Sequence, residues 1–254
     1  GSRGILSREL LTSGKSNTNF KLVLSDQSAY ILRLYSQGSA EREVYVMSLV
    51  KDLISVPEEV DRGDNWSIFT FLEGSLLSDA PEYLAGAASI IAKISSITFT
   101  KKGWKTADGT INPFPFEAGK GFVEEMLERT DVIDWLEPKR VDGIQEILQR
   151  ETGRRKEIAT DQCLVHGDFN PTNILIKDGA VSGVLDWEYA HSGSPYMDIG
   201  NLLRNTDSSY HGQIEVGLKA GGMDLPEDWK DRALLIDLSS QLEFLTSSRA
   251  DQFK

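Results

Sequence analysis

The spacing of apolar residues in this chain changes near Gly74. Before that residue, the stretch 20–35 holds two runs of alternating side chains around a short polar turn, which predicts two antiparallel strands. After it, the apolar residues of 83–94 recur at the 3.6-residue spacing of an α-helix. A β-rich region over 1–74 followed by a helical region over 75–254 is typical of an α+β protein.

Further elements are expected on both sides of this change. Ser39 is a good N-cap for a helix that reaches about Leu53, and a turn at 63–65 precedes a strand over 66–72. The glycines and prolines of 98–117 predict a long irregular connection. Helices of the second region are also predicted over 122–127, 141–148, 195–203 and 226–245.

The composition narrows the class of protein. A net charge of −12 repels nucleic-acid backbones and anionic lipids, and it serves either solubility or the binding of cationic ligands. The sequence predicts neither a membrane span nor a signal peptide. Cys163 is the only cysteine and the three histidines are dispersed, so neither an internal disulfide nor a zinc motif is expected. We therefore predict a cytoplasmic protein that binds neither nucleic acid nor membranes.

Three polar residues flank a predicted hairpin. Asp168 lies five residues before Asn173, which opens the first strand, and Asp186 follows the second strand. The pair Asp178-Gly179 is a strong turn signal between them. Because antiparallel strands fold back on each other, Asn173 and Asp186 are brought to one edge of the hairpin. Both can then bind one Mg²⁺, which prefers oxygen ligands, and Asp168 is left to accept a proton.

Phosphoryl transfer requires both functions: a metal ion neutralises the charge of the phosphates, and a carboxylate orients the attacking hydroxyl. The runs 166–168 (His-Gly-Asp) and 186–188 (Asp-Trp-Glu), with Asn173 between them, resemble the aminoglycoside phosphotransferase and choline kinase family. They are also similar to the catalytic loop and metal-binding Asp of protein kinases. The resemblance implies a bilobal protein-kinase-like fold. Its N-lobe, 1–74, has a small antiparallel sheet and one main helix, and its mostly helical C-lobe, 75–254, holds the catalytic loop, metal site and acceptor pocket.

The resemblance also implies an activity and the residues that perform it. Asp168 would be the catalytic base, with His166 bracing the catalytic loop beside it, and Asn173 and Asp186 would bind Mg²⁺. Asp198 resembles the family's Asp that accepts hydrogen bonds from this loop, and we expect it to be structural. Each residue alone could instead close a local turn. Together they favour an enzyme that transfers the γ-phosphate of ATP or GTP to a small-molecule hydroxyl.

Arg33 lies on the second strand, where this fold places the cation that reaches the phosphates of the nucleotide. Glu43, on the following helix, is its natural ion-pair partner. Arginine departs from the commoner lysine, but its guanidinium can hold a phosphate and a carboxylate at once. The alternative is a surface arginine on an edge strand.

A phosphate-covering loop is expected over 12–19, between an apolar run and the first hairpin strand. Its Gly-Lys-Ser triplet is not a Walker A motif, because that motif needs a glycine five residues before Gly14, and Glu9 stands there. The stretch 69–74 resembles the hinge of the family, in which backbone groups at about Phe71 and Leu72 would contact the adenine. A plain strand and turn also explains this stretch. The small polar residues that could cradle phosphate oxygens are Ser13, Gly14, Ser16 and Asn17.

The sequence does not identify the molecule that accepts the phosphate. We expect its pocket above Asp168, built from 81–149 and the segments after Ser192. The negative charge favours a cationic amino alcohol or amino sugar, such as an aminoglycoside, and Asp237 and Glu243 could bind its ammonium groups or simply face solvent. Choline-like alcohols, amino-acid hydroxyls and sugars stay open, and fold analogy does not choose among them.

Three other functions fit the sequence less well. A non-catalytic nucleotide-binding regulatory module of the same fold would not need Asp168, Asn173 and Asp186 together. A protein kinase would carry an Ala-Pro-Glu motif after Asp186, and none follows. A metal-dependent phosphohydrolase would not need Arg33 or the hinge. No protein partner is evident.

Overall fold

The computed structural model describes residues 4–11, 17–36, 40–114 and 121–246. Strands and helices are numbered in chain order within these residues. The strands are β1 Ile5–Leu11, β2 Thr18–Leu24, β3 Ala29–Leu34, β4 Glu59–Arg62, β5 Trp66–Thr70, β6 Ser75–Leu76, β7 Gly103–Lys105, β8 Ile111–Asn112, β9 Cys163–Val165, β10 Ile174–Lys177, β11 Ala180–Val184 and β12 His191–Gly193. The α-helices are α1 Glu41–Val50, α2 Leu84–Ile94, α3 Phe122–Leu127, α4 Thr130–Leu136, α5 Pro138–Arg150, α6 Thr152–Ile158, α7 Tyr196–Arg204, α8 His211–Ala220 and α9 Trp229–Thr246.

A five-stranded antiparallel sheet with the order β1-β2-β3-β5-β4 forms the first part of the fold. The predicted hairpin is β2–β3. Its turn is closed by a hydrogen bond from the Leu24 N–H to the Ser28 carbonyl (2.9 Å) and by Asp26, whose carboxylate accepts from the Ser28 N–H (3.1 Å). Period-two burial is clearest along β5, where the alternate residues Ser67 and Phe69 are buried.

Helix α1 connects β3 to β4 and is the predicted helix of the first region. Its predicted N-cap, Ser39, lies outside the described residues. Ala40 occupies the N-cap position in the structure and makes no side-chain cap hydrogen bond. Val46, Met47 and Val50 are buried, so contacts with the core hold the helix.

Two smaller antiparallel sheets follow. One has the order β11-β10-β6, and its β10–β11 pair is the hairpin predicted around Asp178. The other has the order β8-β7-β12-β9. Because β6 starts directly after Gly74 and pairs with β10, the chain enters the second sheet at that point. The division of the chain at Gly74 stays a prediction.

Helix α2 lies at the centre of the main core. Leu84, Ile91 and Ile94 are fully buried on it, and Leu218 of α8 is buried in the same core. A second, smaller core joins α3, α4, α5 and α9. None of the helices within the described ranges combines the length and apolar character needed to cross a bilayer.

Some sequence-based predictions of elements were wrong. The connection over 98–117 holds β7 and β8, and helices α4, α6 and α8 were missed. Gly217 explains why α8 was hidden: a Cβ there would lie 2.0 Å from the carbonyl oxygen of Ala85 on α2. Glycine lowers helix propensity in sequence, but here it allows two helices to approach closely.

Candidate active site

The carboxylate of Asp168 is held by amide groups. Asp168 lies in the loop after β9, and Asn170 and Asn173 donate from their Nδ2 atoms to its two oxygens at 2.8 and 2.9 Å. Asn201 on α7 approaches one of these oxygens at 3.5 Å. These donors restrict the rotation of the carboxylate and leave it able to accept a further hydrogen bond.

Asn173 and Asp186 lie at the same end of the β10–β11 hairpin, as the sequence predicted. Ile174 pairs with Val184, and the Leu185 N–H donates to the Asn173 carbonyl at 2.8 Å. Asp186 then adopts a left-handed conformation, with φ 65° and ψ 64°, which ends the strand direction. Because Nδ2 of Asn173 bonds to Asp168, its Oδ1 is the atom that can face a cation.

Arg33 connects the first sheet to this turn. Its guanidinium bonds both oxygens of Glu43, at 2.8 and 2.7 Å, and lies 3.6 Å from Oδ1 of Asp186. Asn19 on β2 accepts from its Nε at 3.1 Å. Burial alone would lower the pKa of Arg33, but Glu43 and Asp186 outweigh it and raise the pKa. The alternative of a surface arginine is wrong, since the side chain is only 13% exposed.

Acidic groups exceed basic ones in this region. Burial raises the pKa of Asp186 to about 7, with the charges of Glu188, Glu43 and Asp168 acting in the same sense and Arg33 opposing them. Such an excess of carboxylates fits the presence of a divalent cation. In the described part of the chain no three His, Cys, Asp or Glu side chains gather as metal ligands. One carboxylate and one amide oxygen nevertheless suit Mg²⁺, which keeps waters and phosphate oxygens.

His166 is fully buried. Its Nε2 lies 2.9 Å from the Leu185 carbonyl, and its Nδ1 accepts from the Asp168 N–H at 3.2 Å. These bonds define a neutral tautomer with the proton on Nε2. Burial lowers the pKa of His166 to about 4. Both ring nitrogens are thus used to hold the loop, which fits the predicted bracing role.

Asp198 accepts two backbone hydrogen bonds from the loop that follows β9. The N–H groups of His166 and Gly167 donate to its two oxygens at 2.8 and 2.9 Å, and Asp198 is fully buried. Burial raises its pKa to about 7. Gly167 has φ 85°, and a Cβ there would lie 2.5 Å from the Tyr189 carbonyl oxygen, so the loop requires glycine.

The nucleotide candidates are only partly described. Ser13, Gly14 and Ser16 lie outside the described residues, while Asn17 donates to Glu188 at 3.1 Å. The Phe71 N–H donates to the Ala29 carbonyl at 3.3 Å, so it is not available to adenine. Leu72 packs over Gly183 of the hairpin. The hinge prediction therefore narrows to the Phe71 carbonyl and the backbone of Leu72.

Sequence reasoning missed part of this network and misjudged another part. It did not select Asn170, two residues after Asp168. It also missed Asn201 on α7 and Asn205 directly after α7, which lie three and seven residues after Asp198. Asp237 does not face an acceptor: it is buried and bonds to Arg204 and Gln241. Nothing in a single helical pattern distinguishes such a buried pair from a binding residue.

A cavity of about 460 Å³ lies between α2 and the β10–β11 hairpin. Ile54, Gly86, Ile90 and Val181 are among the residues that line it. None of the predicted site residues lines this cavity. The candidate active site is the half-buried group of Asp168, Asp186 and Arg33, and it is separate from this cavity.

A second buried histidine predicts a pH effect on stability. The ring of His191 is buried, its Nδ1 lies 2.9 Å from the Tyr189 carbonyl, and burial lowers its pKa from 6.5 to about 4. Between pH 6.5 and pH 4, His191 is protonated in the unfolded chain but neutral in the folded protein. The free energy of unfolding therefore decreases as the pH falls through this range. From pH 7.5 to pH 5 the loss is about 2 kcal/mol.

The comparison of wild type with His191→Gln isolates this effect, because opposing groups such as Asp198 titrate in both proteins. We expect urea unfolding at the two pH values to show a loss about 2 kcal/mol smaller in the variant. An identical pH dependence in both proteins would show that His191 does not carry it.

A sequence profile of the phosphotransferase enzyme family matches residues 7–235. Acyl-CoA dehydrogenase family member 11 of Mus musculus is 25% identical over 225 residues, which are 79% of this chain and 28% of that protein. The chain thus spans less than a third of the length of this curated relative.

Solved structures share the fold. Macrolide 2'-phosphotransferase MphH from Brachybacterium faecium has a TM-score of 0.71 and 16% identity, with 98% of this chain and 87% of that chain covered. A thermostable mutant of aminoglycoside phosphotransferase APH(4)-Ia in complex with ADP and hygromycin B has a TM-score of 0.69 and 19% identity, with coverages of 97% and 89%. At these identities the likeness establishes the fold alone, and it confirms the predicted α+β, bilobal protein-kinase-like fold.

Proposed function

The chain belongs to the phosphotransferase enzyme family, and from this membership we propose that it transfers the γ-phosphate of ATP to a hydroxyl group of a small molecule. One observation carries the proposal. Glu43 bonds to Arg33, Arg33 reaches Asp186 at 3.6 Å, and Asn173 bonds to Asp168 at 2.9 Å. The proposed phosphate-binding cation, metal donors and base therefore lie together at one end of the β10–β11 hairpin, where the Leu185 N–H, next to Asp186, donates to the Asn173 carbonyl at 2.8 Å.

Asp168 is the proposed base. Its carboxylate accepts the proton of the acceptor hydroxyl as the oxygen attacks the terminal phosphate, a role that contributes about 10²- to 10⁴-fold to rate. Asn170 and Asn173 orient the carboxylate through their bonds to it. Positioning is the main requirement, because phosphoryl transfer needs little covalent chemistry from the protein.

Asn173 and Asp186 are the proposed ligands of Mg²⁺. When bound, the ion would neutralise charge on the phosphates. Asp186 offers a carboxylate that is partly exposed at 31%, and Asn173 offers its amide oxygen. Glu188 adds negative charge to the same turn and bonds Asn17 of the segment proposed to cover the phosphates.

Arg33 is the proposed cation for the nucleotide phosphates. Glu43 fixes one side of its guanidinium, which leaves other N–H groups able to bind phosphate oxygens. The backbone of Leu72 and the Phe71 carbonyl are proposed to meet the adenine. Ser13, Gly14 and Ser16, with Asn17, would cover the phosphates through backbone amides.

A cationic amino sugar or amino alcohol is the proposed acceptor class. The net charge of −12 and the excess of carboxylates around Asp186 favour a positively charged ligand. APH(4)-Ia, which shares this fold, forms a complex with ADP and hygromycin B. The buried Asp237 takes no part in this proposal.

The test is ADP release with Mg²⁺ across a panel of aminoglycosides, amino alcohols, hydroxyl amino acids and neutral sugars, with ATP and GTP as donors. We expect release that depends on both Mg²⁺ and an acceptor and is fastest with cationic acceptors. Hydrolysis independent of any acceptor would point to a phosphohydrolase. Nucleotide binding without turnover across the panel would support a regulatory module.

A further inference from the structure

The sheet β8-β7-β12-β9 connects the loop that holds Asp168 to helix α1. Strand β9 ends at Val165, directly before the loop, and Val165 pairs with His191 of β12. His191 in turn pairs with Trp104 of β7, and β7 continues into the β7–β8 hairpin. The hairpin is therefore fixed by backbone pairing to the strand that positions His166 and Asp168.

Three aromatic rings strengthen this connection. Trp104 meets His191 at a centroid distance of 5.3 Å and Phe114 at 5.5 Å, and Phe114 meets His191 at 5.4 Å. All three contacts are edge-to-face, a favourable arrangement for aromatic pairs. Trp104 thus has a defined orientation on the hairpin.

Two successive residues of β7, Trp104 and Lys105, contact α1. The guanidinium of Arg42 lies 5.0 Å from the centroid of the Trp104 ring. Lys105 lies 5.4 Å from the ring of Tyr45 and donates to the Gly109 carbonyl at 2.6 Å. Gly109 is so close to Tyr45 that a Cβ on it would lie 2.8 Å from the tyrosine hydroxyl.

These contacts flank the residue that pairs with the phosphate cation. Arg42 and Tyr45 lie immediately before and two residues after Glu43, whose bonds to Arg33 are 2.7 and 2.8 Å long. Hydrogen bonds of this length are lost when one partner moves by about 1 Å. Among the described residues, Ala40 at the N-cap position offers no capping side chain, so α1 is held by its lateral contacts, with the core through Val46, Met47 and Val50 and with this hairpin.

We propose that the β7–β8 hairpin holds α1 against the catalytic sheet, with Trp104 as the positioning residue that keeps Glu43 in place to direct Arg33 at the nucleotide. The inference rests on the proposed function and extends it. Trp104 acts through Arg42 and α1 and does not touch the substrate. In this fold the helix that carries the glutamate is a movable element in protein kinases, where its position controls activity. Here the β7–β8 hairpin adds to the core contacts that hold it.

The test measures, by calorimetry in the presence of Mg²⁺, the affinity of the protein for a non-hydrolysable ATP analogue. The KM for ATP and kcat are measured alongside. We expect Trp104→Ala to weaken affinity and raise KM on the order of 10-fold, with a smaller change in kcat. Trp104→Phe keeps a ring for Arg42 and should recover most of the affinity. Trp135→Ala, a half-buried tryptophan on α4, is the matched control and should bind as wild type does.

A double-variant comparison separates positioning from a loss of stability. If Trp104 acts through Glu43, then Trp104→Ala should weaken binding less than about 2-fold in a Glu43→Gln background. If the double variant weakened nucleotide binding by the product of the two single-variant factors, the inference would be overturned. Unchanged affinity in Trp104→Ala would also overturn it. Absence of nucleotide binding in the wild type would instead overturn the proposed function, so the two failures are distinguishable.

Discussion

Replacing Asp168 with asparagine is expected to lower acceptor-dependent ADP release by about 10²- to 10⁴-fold. The variant keeps the shape of the side chain and one oxygen that can accept from Asn170 or Asn173, so the loop is retained. It cannot take the proton of the attacking hydroxyl. Nucleotide affinity should stay close to that of the wild type, because Arg33 and the proposed hinge at Phe71 and Leu72 are unchanged.

The matched control is Asp178→Asn, which makes the same chemical change at the exposed tip of the β10–β11 hairpin. We expect it to keep full activity. Steady-state ADP release measures both variants under saturating ATP and acceptor. Turnover by Asp168→Asn within a few-fold of the wild type would contradict the assignment of the base.

Replacing Asp198 with alanine is expected to reduce the free energy of unfolding by about 2–5 kcal/mol. The change removes the acceptor of two N–H groups, that of the buried His166 and that of the half-buried Gly167. Burial opposes the ionised form of Asp198, since its pKa is raised to about 7, and removing the carboxyl relieves that cost. The two unsatisfied donors and the cavity outweigh this gain.

Denaturant unfolding at pH 7 measures this loss. Asp207→Ala is the control: Asp207 also accepts a backbone N–H, from Ser209 at 2.9 Å, but it is exposed. Its loss should cost about 1 kcal/mol or less. Equal effects of the two substitutions would show that the bonds from Asp198 to the loop are not important for stability.

The catalytic loop and the hairpin could be predicted because their signals are local. The spacing from Asp168 to Asn173 and the turn at Asp178 are both set within a few residues, and antiparallel pairing then brings Asn173 and Asp186 to one edge. Arg33 and Glu43 were predicted from family resemblance, and the structure brings them into contact.

The β8-β7-β12-β9 sheet could not be predicted, because its strands are two or three residues long and too short to show a period. Helix α8 was missed since its glycines argue against a helix, although Gly217 serves close packing. The burial of Asp237 depends on Arg204, 33 residues away along the chain, and no local pattern reveals such a pair.

A crystal structure with Mn²⁺ and a non-hydrolysable ATP analogue tests the central claim most directly, since the anomalous signal of Mn²⁺ locates the ion. We expect the ion between the Asp186 carboxylate and Oδ1 of Asn173, with the terminal phosphate facing Asp168 and Arg33 contacting the phosphates. An ion or a nucleotide bound away from Asp168, Asn173 and Asp186 would contradict the account.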